Sequence, residues 1–124
     1  MRLKVVAGTY AVVQLPAGSG VPEWFDGAGF AALVRADDEL TLVCDERRVP
    51  QSVKAQKGWA CFRSVGPFAF DETGIVASLV APISANDIGV FVLCTFDGEH
   101  ILCPSEEFGR VQDILIAEGH CFVD

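Results

Sequence analysis

The stretch FDETGIVASL sets an acid, a hydroxyl and a glycine, Asp71, Thr73 and Gly74, just ahead of a hydrophobic run with helical spacing. Glycine within a helix costs about 0.5–1 kcal/mol relative to alanine, so its presence here needs a reason. Where a strand and loop lead into a helix, the first N–H groups of the helix have no intrahelical partner, and the dipole favours negative charge in front of them. The chemistry suited to that arrangement is capture of a small carboxylate. Gly74, without a Cβ, lets a ligand or a neighbouring backbone come close, and Asp71 either caps the helix or pairs with a ligand ammonium. Asp71 and Thr73 are equally ordinary N-cap residues, and a packing role for Gly74 stands beside the ligand role. Only their joint placement argues for function.

The other reactive side chains suggest less. His100 and His120 have no second histidine or paired cysteine at ligand spacing, so no metal is expected. The five cysteines (Cys44, Cys61, Cys94, Cys103, Cys121) are odd in number, lack C-x-x-C spacing and sit singly in apolar stretches, which predicts buried free thiols. Cys94 stands near Asp97 and Glu99, whose charges would raise a thiol pKa, and it reads as a small buried hydrophobe. No G-x-S-x-G, P-loop or G-x-G-x-x-G occurs, and GAGFAA at 27–32 lacks the helix and acid of a dinucleotide site. No nucleophile can be named together with a base and an orienting group. The expectation is a protein that is not an enzyme, with no catalytic residue and no cofactor.

At 124 residues and 51% hydrophobic content the chain can form one ordinary domain or two very small ones. Its formal net charge of −8 argues against nucleic acid and against an anionic membrane surface as partners, since both select basic patches. No apolar run approaches the ~20 residues of a membrane helix, and MRLKVVAG lacks the apolar region and cleavage site of a signal peptide. A cytoplasmic location is expected. The segment 45–58 concentrates Arg47, Arg48, Lys54 and Lys57 and reads as a solvated connector, with docking of an acidic partner as the sharper alternative.

From Trp59 onward the elements that must position these residues are well punctuated. WACFRSV is a strand closed by Gly66-Pro67, and Ile75, Val76, Leu79, Val80 and Ile83 then recur at helical spacing, with Pro82 kinking the helix and freeing the Ser78 carbonyl. IGVFVLCTF reads as a buried strand, Asp97-Gly98 as a hairpin turn into EHILC, and Ser105 as the cap of a second helix with Phe108, Val111, Ile114 and Leu115 as its stripe. Gly119 closes that helix in the left-handed region, and HCFVD is the last strand. The order is β-α-β-β-α-β, a ferredoxin-like α+β pattern with an antiparallel sheet and two helices on one face. The first half reads as strands LKVVA, TYAVVQL, FAALVRA and LTLVC with only short helical turns, near Pro22–Phe25 and Asp45–Arg48. Trp24 and Trp59 are candidate anchors. A shift of 59 residues sets LVRADDELTLVC (33–44) on VLCTFDGEHILC (92–103), matching Asp38 with Asp97 and Cys44 with Cys103. Two tandem units are therefore expected, 1–57 with shortened helices and 58–124 complete.

GPFAFDETGIVASLVAPISANDIGVFVLCTF, the D-x-x-G-I step at Asp71 to Ile75, the lead-in GWACFRSVGPFAF and the final AEGH turn resemble the ACT domain. The whole chain is similar to small bacterial proteins of two tandem ACT-like units, related to the cytosolic arginine sensor of animals. The resemblance implies a non-catalytic regulatory module that binds a free amino acid between ACT-like units, with a homodimer or a regulated enzyme as partner. It also implies a pocket made by Asp71, Thr73, Gly74 and Ile75 on one side and Cys94, Thr95, Phe96 and Asp97 on the other. Where relatives carry Ser-Thr-Tyr-Asp-Thr-Asp this chain has Cys94-Thr95-Phe96-Asp97-Gly98-Glu99, with fewer hydroxyls. The alternative is a ligand-free module for protein–protein interaction or dimerisation.

Overall fold

The computed structural model describes residues 1–69 and 71–124; Phe70, which opens the stretch above, lies outside the described residues. The chain forms two compact units, a smaller one of Ala7–Trp59 and a larger one of Met1–Val6 with Ala60–Asp124. Two strands run through both, β1 (Arg2–Pro16) and β4 (Ala55–Ser64).

In the smaller unit β1 pairs antiparallel with β3 (Glu39–Asp45), which pairs antiparallel with β2 (Ala32–Arg35). The two candidate strands LKVVA and TYAVVQL are thus one continuous strand, with Gly8 between them at φ +106°. Alternation sends Ala11, Val13, Leu40, Leu42 and Cys44 to one face, where Phe25 and Val49 join them in a buried cluster that Trp24 packs against. Only 3-10 turns appear, at Glu23–Phe25 and Glu46–Arg48. The basic segment is more than a connector, because its last four residues, 55–58, already belong to β4. Arg47 donates to the Asp45 carboxylate, and that side-chain hydrogen bond lowers the Asp45 pKa to about 2.

In the larger unit the order from β4 is α1 (Ile75–Ser84), β5 (Phe91–Thr95), β6 (Gly98–Pro104), a 3-10 turn at Ser105–Glu107, α2 (Phe108–Ala117) and β7 (Cys121–Val123). Leu79 and Ile83 of α1 and Val111 and Leu115 of α2 are fully buried against Leu3, Phe62 and Ile101. Each such side chain contributes roughly 1.5–3 kcal/mol on leaving water. Phe62 stacks on Phe108 at 6.2 Å and meets Phe122 edge-on at 5.7 Å.

Four local expectations are corrected here. β7 pairs in parallel with Arg2–Lys4 of β1, so this unit's sheet is not purely antiparallel and the first residues of the chain add a strand to it. Ser105 makes no cap; it opens the 3-10 turn that tightens the entry to α2. The β5–β6 turn consists of Phe96 and Asp97, because Thr95 pairs with Gly98, and no positive φ occurs there to demand the glycine. Cys94 and Cys121 are exposed, whereas Cys44, Cys61 and Cys103 are buried. Gly119 does lie in the left-handed region, at φ +96°. Pro82 leaves the Ser78 carbonyl without its helical partner, and His120 Nε2 approaches that oxygen at 3.3 Å. No helix among the described residues is long and apolar enough to cross a membrane.

The 59-residue repeat extends to geometry. Leu33 pairs with Leu42 and Arg35 with Leu40 in the smaller unit; Val92 pairs with Ile101 and Cys94 with Glu99 in the larger. The buried positions of β3 and β6 coincide one for one, and a three-residue 3-10 turn follows each strand.

Candidate functional site

Helix α1 begins differently from its sequence reading. Its N-cap is Gly74, at φ +79° and ψ 1°, and no side chain caps it. A Cβ at Gly74 would meet nothing within 4 Å, so the residue is glycine because the backbone enters the left-handed region, not because something packs on it. Ser78 N–H donates to the Gly74 carbonyl at 2.9 Å, closing the first helical turn. The N–H groups of Ile75, Val76 and Ala77 precede that bond and have no carbonyl of the helix to meet.

A cavity of about 260 Å³ opens in front of them. One wall is Ala69, Glu72, Gly74, Ile75 and Val76, and the facing wall is Cys94, Thr95, Phe96, Gly98 and Glu99. Five of the expected residues are therefore brought together: Gly74, Ile75, Cys94, Thr95 and Phe96. Asp71 and Thr73 are exposed, line no wall of this cavity and cap nothing. Asp97 lines a neighbouring cavity. The loop before the helix is held by the Glu72 carboxylate, which accepts from Ala69 N–H at 3.2 Å. The turn is held by the Thr95 hydroxyl, which donates to the Gly98 carbonyl at 3.2 Å.

The residue that spacing missed is Glu99. It is 4% exposed, its N–H donates to Ser64 Oγ at 3.3 Å, and its Oε1 has no hydrogen-bond partner among the described residues. A buried carboxylate oxygen left unpaired is costly, and native proteins rarely keep one without use. The repeat makes the oddity sharper: the position corresponding to Glu99 in the smaller unit is Leu40, which is fully buried. A signal was present in the sequence, since the same 59-residue shift sets an acid on a core leucine. Glu72 was also missed.

Burial pushes the Cys61 thiol up to about 12, helped by Cys103, and pushes Cys103 up to about 11, helped by Glu107. Burial raises Cys44 too, although Arg48 opposes it. Iodoacetamide near pH 8 is expected to modify the two exposed thiols of the native chain, Cys94 and Cys121, and all five after denaturation, as read by intact mass. Native modification of a third thiol would contradict this burial.

Comparison with known proteins places the chain. The ACT domain model matches residues 54–117, and a second model, of an N-terminal domain type, matches residues 8–52. The cytosolic arginine sensor for mTORC1 subunit 1 of Mus musculus is 35% identical over 111 residues, covering 83% of this chain and 33% of that protein. The sensor of the same name from Homo sapiens is 40% identical over 58 residues, covering 46% and 18%. The chain thus spans a third or less of these relatives' length. Among solved structures, protein Atu0741 of Agobacterium tumefaciens superposes with a TM-score of 0.93 at 47% identity, covering 98% of this chain and 91% of that one. An aspartate kinase of Clostridium acetobutylicum shares the fold at a TM-score of 0.67 and 12% identity, covering 94% and 33%. With just over half its length matched by the domain model, and with those elements in place, this protein belongs to the ACT domain family.

Proposed function

We propose that the protein is a non-catalytic regulatory module that binds a free amino acid in the cavity before α1. The ligand carboxylate meets the N–H groups of Ile75, Val76 and Ala77, and a cationic group of the ligand meets Glu99. The observation that carries this reading is that Glu99, a buried acid with one carboxylate oxygen unpaired among the described residues, lines the same cavity as an uncapped helix start. The two ends offer opposite charges to one small ligand, as an amino acid requires. Relatives that are named as arginine sensors make L-arginine the first ligand to test. The wider reading is of two tandem ACT-like units, 1–57 and 58–124, in a cytoplasmic protein that pairs with itself or with a regulated enzyme. The shared 59-residue register and burial pattern of the two hairpins support the tandem.

The test is thermal unfolding and calorimetry against the twenty amino acids. A ligand at a hundred times its Kd adds about 2.7 kcal/mol, which raises Tm by roughly 8–11 °C for a protein of this size. Ala69→Trp, which fills the mouth of the cavity, is expected to remove that shift. If no amino acid at millimolar concentration gives heat or a shift, the ligand reading fails. The second reading, a ligand-free interaction module, draws on β5, which is the terminal strand in the pairing order and ends in exposed Cys94 and Thr95. Light scattering that returns a monomer with no ligand response would leave neither reading standing.

A further inference from the structure

We propose that the helices of the larger unit form a docking surface for a basic partner protein, which inserts a lysine or arginine side chain into the groove walled by Ala77, Ser78, Ala81, Pro82, Glu118 and His120. The groove has a volume of about 420 Å³, within the ~300–1,000 Å³ of ligand pockets, and Ala77, Ser78, Ala81 and Glu118 at its walls are exposed.

Negative ends converge on this groove without a cation to meet them. Pro82 has no N–H for the Ser78 carbonyl, and His120 Nε2 approaches that oxygen only at a long 3.3 Å, so a lone pair is left for another donor. The other ring nitrogen of His120, Nδ1, is engaged by the Met1 amine at 2.8 Å. Glu118 is the C-cap of α2, and among the described residues its carboxylate has no ion pair. A cation in the last turn of a helix offsets the negative end of its dipole, yet neither α1 nor α2 has a basic residue there. A partner's ammonium or guanidinium supplies what both helices lack. Ala77, Ala81 and Pro82 offer apolar surface to the methylene stem behind that charge.

The charge also selects the partner. The two helices hold a single cation, Arg110, which stands 3.7 Å from Glu107. A second copy packed by the same surface therefore brings nothing basic to Glu118, whereas a basic protein is drawn to a chain of net charge −8. Ile116, two residues before Glu118, is 54% exposed and adds apolar area for a protein partner to cover.

Ala77 lines both this groove and the cavity before α1, but no charged side chain does, so the two proposals stand or fall separately.

The test is an amide NMR titration of the full chain with the end-blocked tripeptides Gly-Lys-Gly and Gly-norleucine-Gly and with free L-lysine. The lysine tripeptide is expected to shift the Ser78, Ala81, Gly119 and His120 amides saturably at millimolar concentration. The norleucine tripeptide keeps the stem without the charge and should be weaker by at least about tenfold. Glu118→Gln is expected to weaken the lysine tripeptide by at least about fivefold. Ala81→Leu, which fills the groove from an exposed helix position, should remove its response. Both substitutions leave any L-arginine response at Ile75 and Val76, which separates this groove from the other cavity. The proposal is overturned if the lysine tripeptide leaves those amides unmoved, if norleucine matches lysine, or if Glu118→Gln changes nothing. It is overturned equally if free L-lysine binds at least about tenfold tighter than the tripeptide, since the groove would then serve a free metabolite and not a protein side chain.

Discussion

Glu99→Leu is expected to abolish amino-acid binding and at the same time raise the melting temperature. The carboxylate is almost wholly buried with one oxygen unpaired among the described residues, a state that costs about 1–3 kcal/mol for a polar group and more for a charged one. Leucine at this position reproduces what the smaller unit has at Leu40, in the same register of the same hairpin and fully buried. Buried leucine adds roughly 1.5–3 kcal/mol of transfer free energy, so the two changes act in the same direction. A gain of even 1–2 kcal/mol shifts Tm upward by about 3–8 °C. Glu99→Gln keeps the polarity without the charge; it should lose binding yet recover only part of the stability. Melting curves and ligand titrations on both variants decide the matter. A leucine variant that is less stable than the parent, or that still binds, would show that the acid is held for structure, not for a ligand. This is the trade often met at binding sites, where local rules are broken for function.

Phe62→Ala should have the largest effect on stability. Phe62 is completely buried in the larger unit, stacked on Phe108 and edge-on to Phe122. Truncating a buried phenylalanine costs about 3–5 kcal/mol once the cavity left behind is counted. The lost ring pairs add about 0.5–1.5 kcal/mol each. Against a total stability of roughly 5–15 kcal/mol, such a loss leaves the unit marginal or unfolded at 37 °C. Ile116→Ala is the matched control, because Ile116 is 54% exposed, and it should change stability by no more than about 0.5 kcal/mol. Urea unfolding of the two variants checks this. Equal midpoints for both would mean that the three aromatic rings do not form the core.

What could be read directly from the chain was whatever depends on neighbours in sequence. The helical spacing of Ile75, Leu79 and Ile83, the left-handed glycine after α2 and the existence of a hairpin between β5 and β6, though not its register, are local consequences of periodicity and turn chemistry. The acid at Glu99 was passed over because it sits beside a turn, where polar residues are usually solvated. Strict alternation nevertheless puts it on the face of Ile101 and Cys103, both fully buried. Asp71 and Thr73 were read as caps because capping residues cluster before apolar runs, yet the chain enters α1 later, through Gly74.

By itself, then, the sequence determined the larger unit's run of strands and helices and the repeat of its hairpin. Only the tertiary structure decided that β7 pairs with the first residues of β1, that Cys94 is exposed on a terminal strand, and that Glu99 is buried beside two cavities with Oε1 unpaired among the described residues. The division follows from range. Dihedral preferences and side-chain periodicity act over a few residues and are written in order along the chain. Strand partners, edges and the dielectric around a carboxylate depend on residues far apart in sequence, and they exist only once the chain has packed.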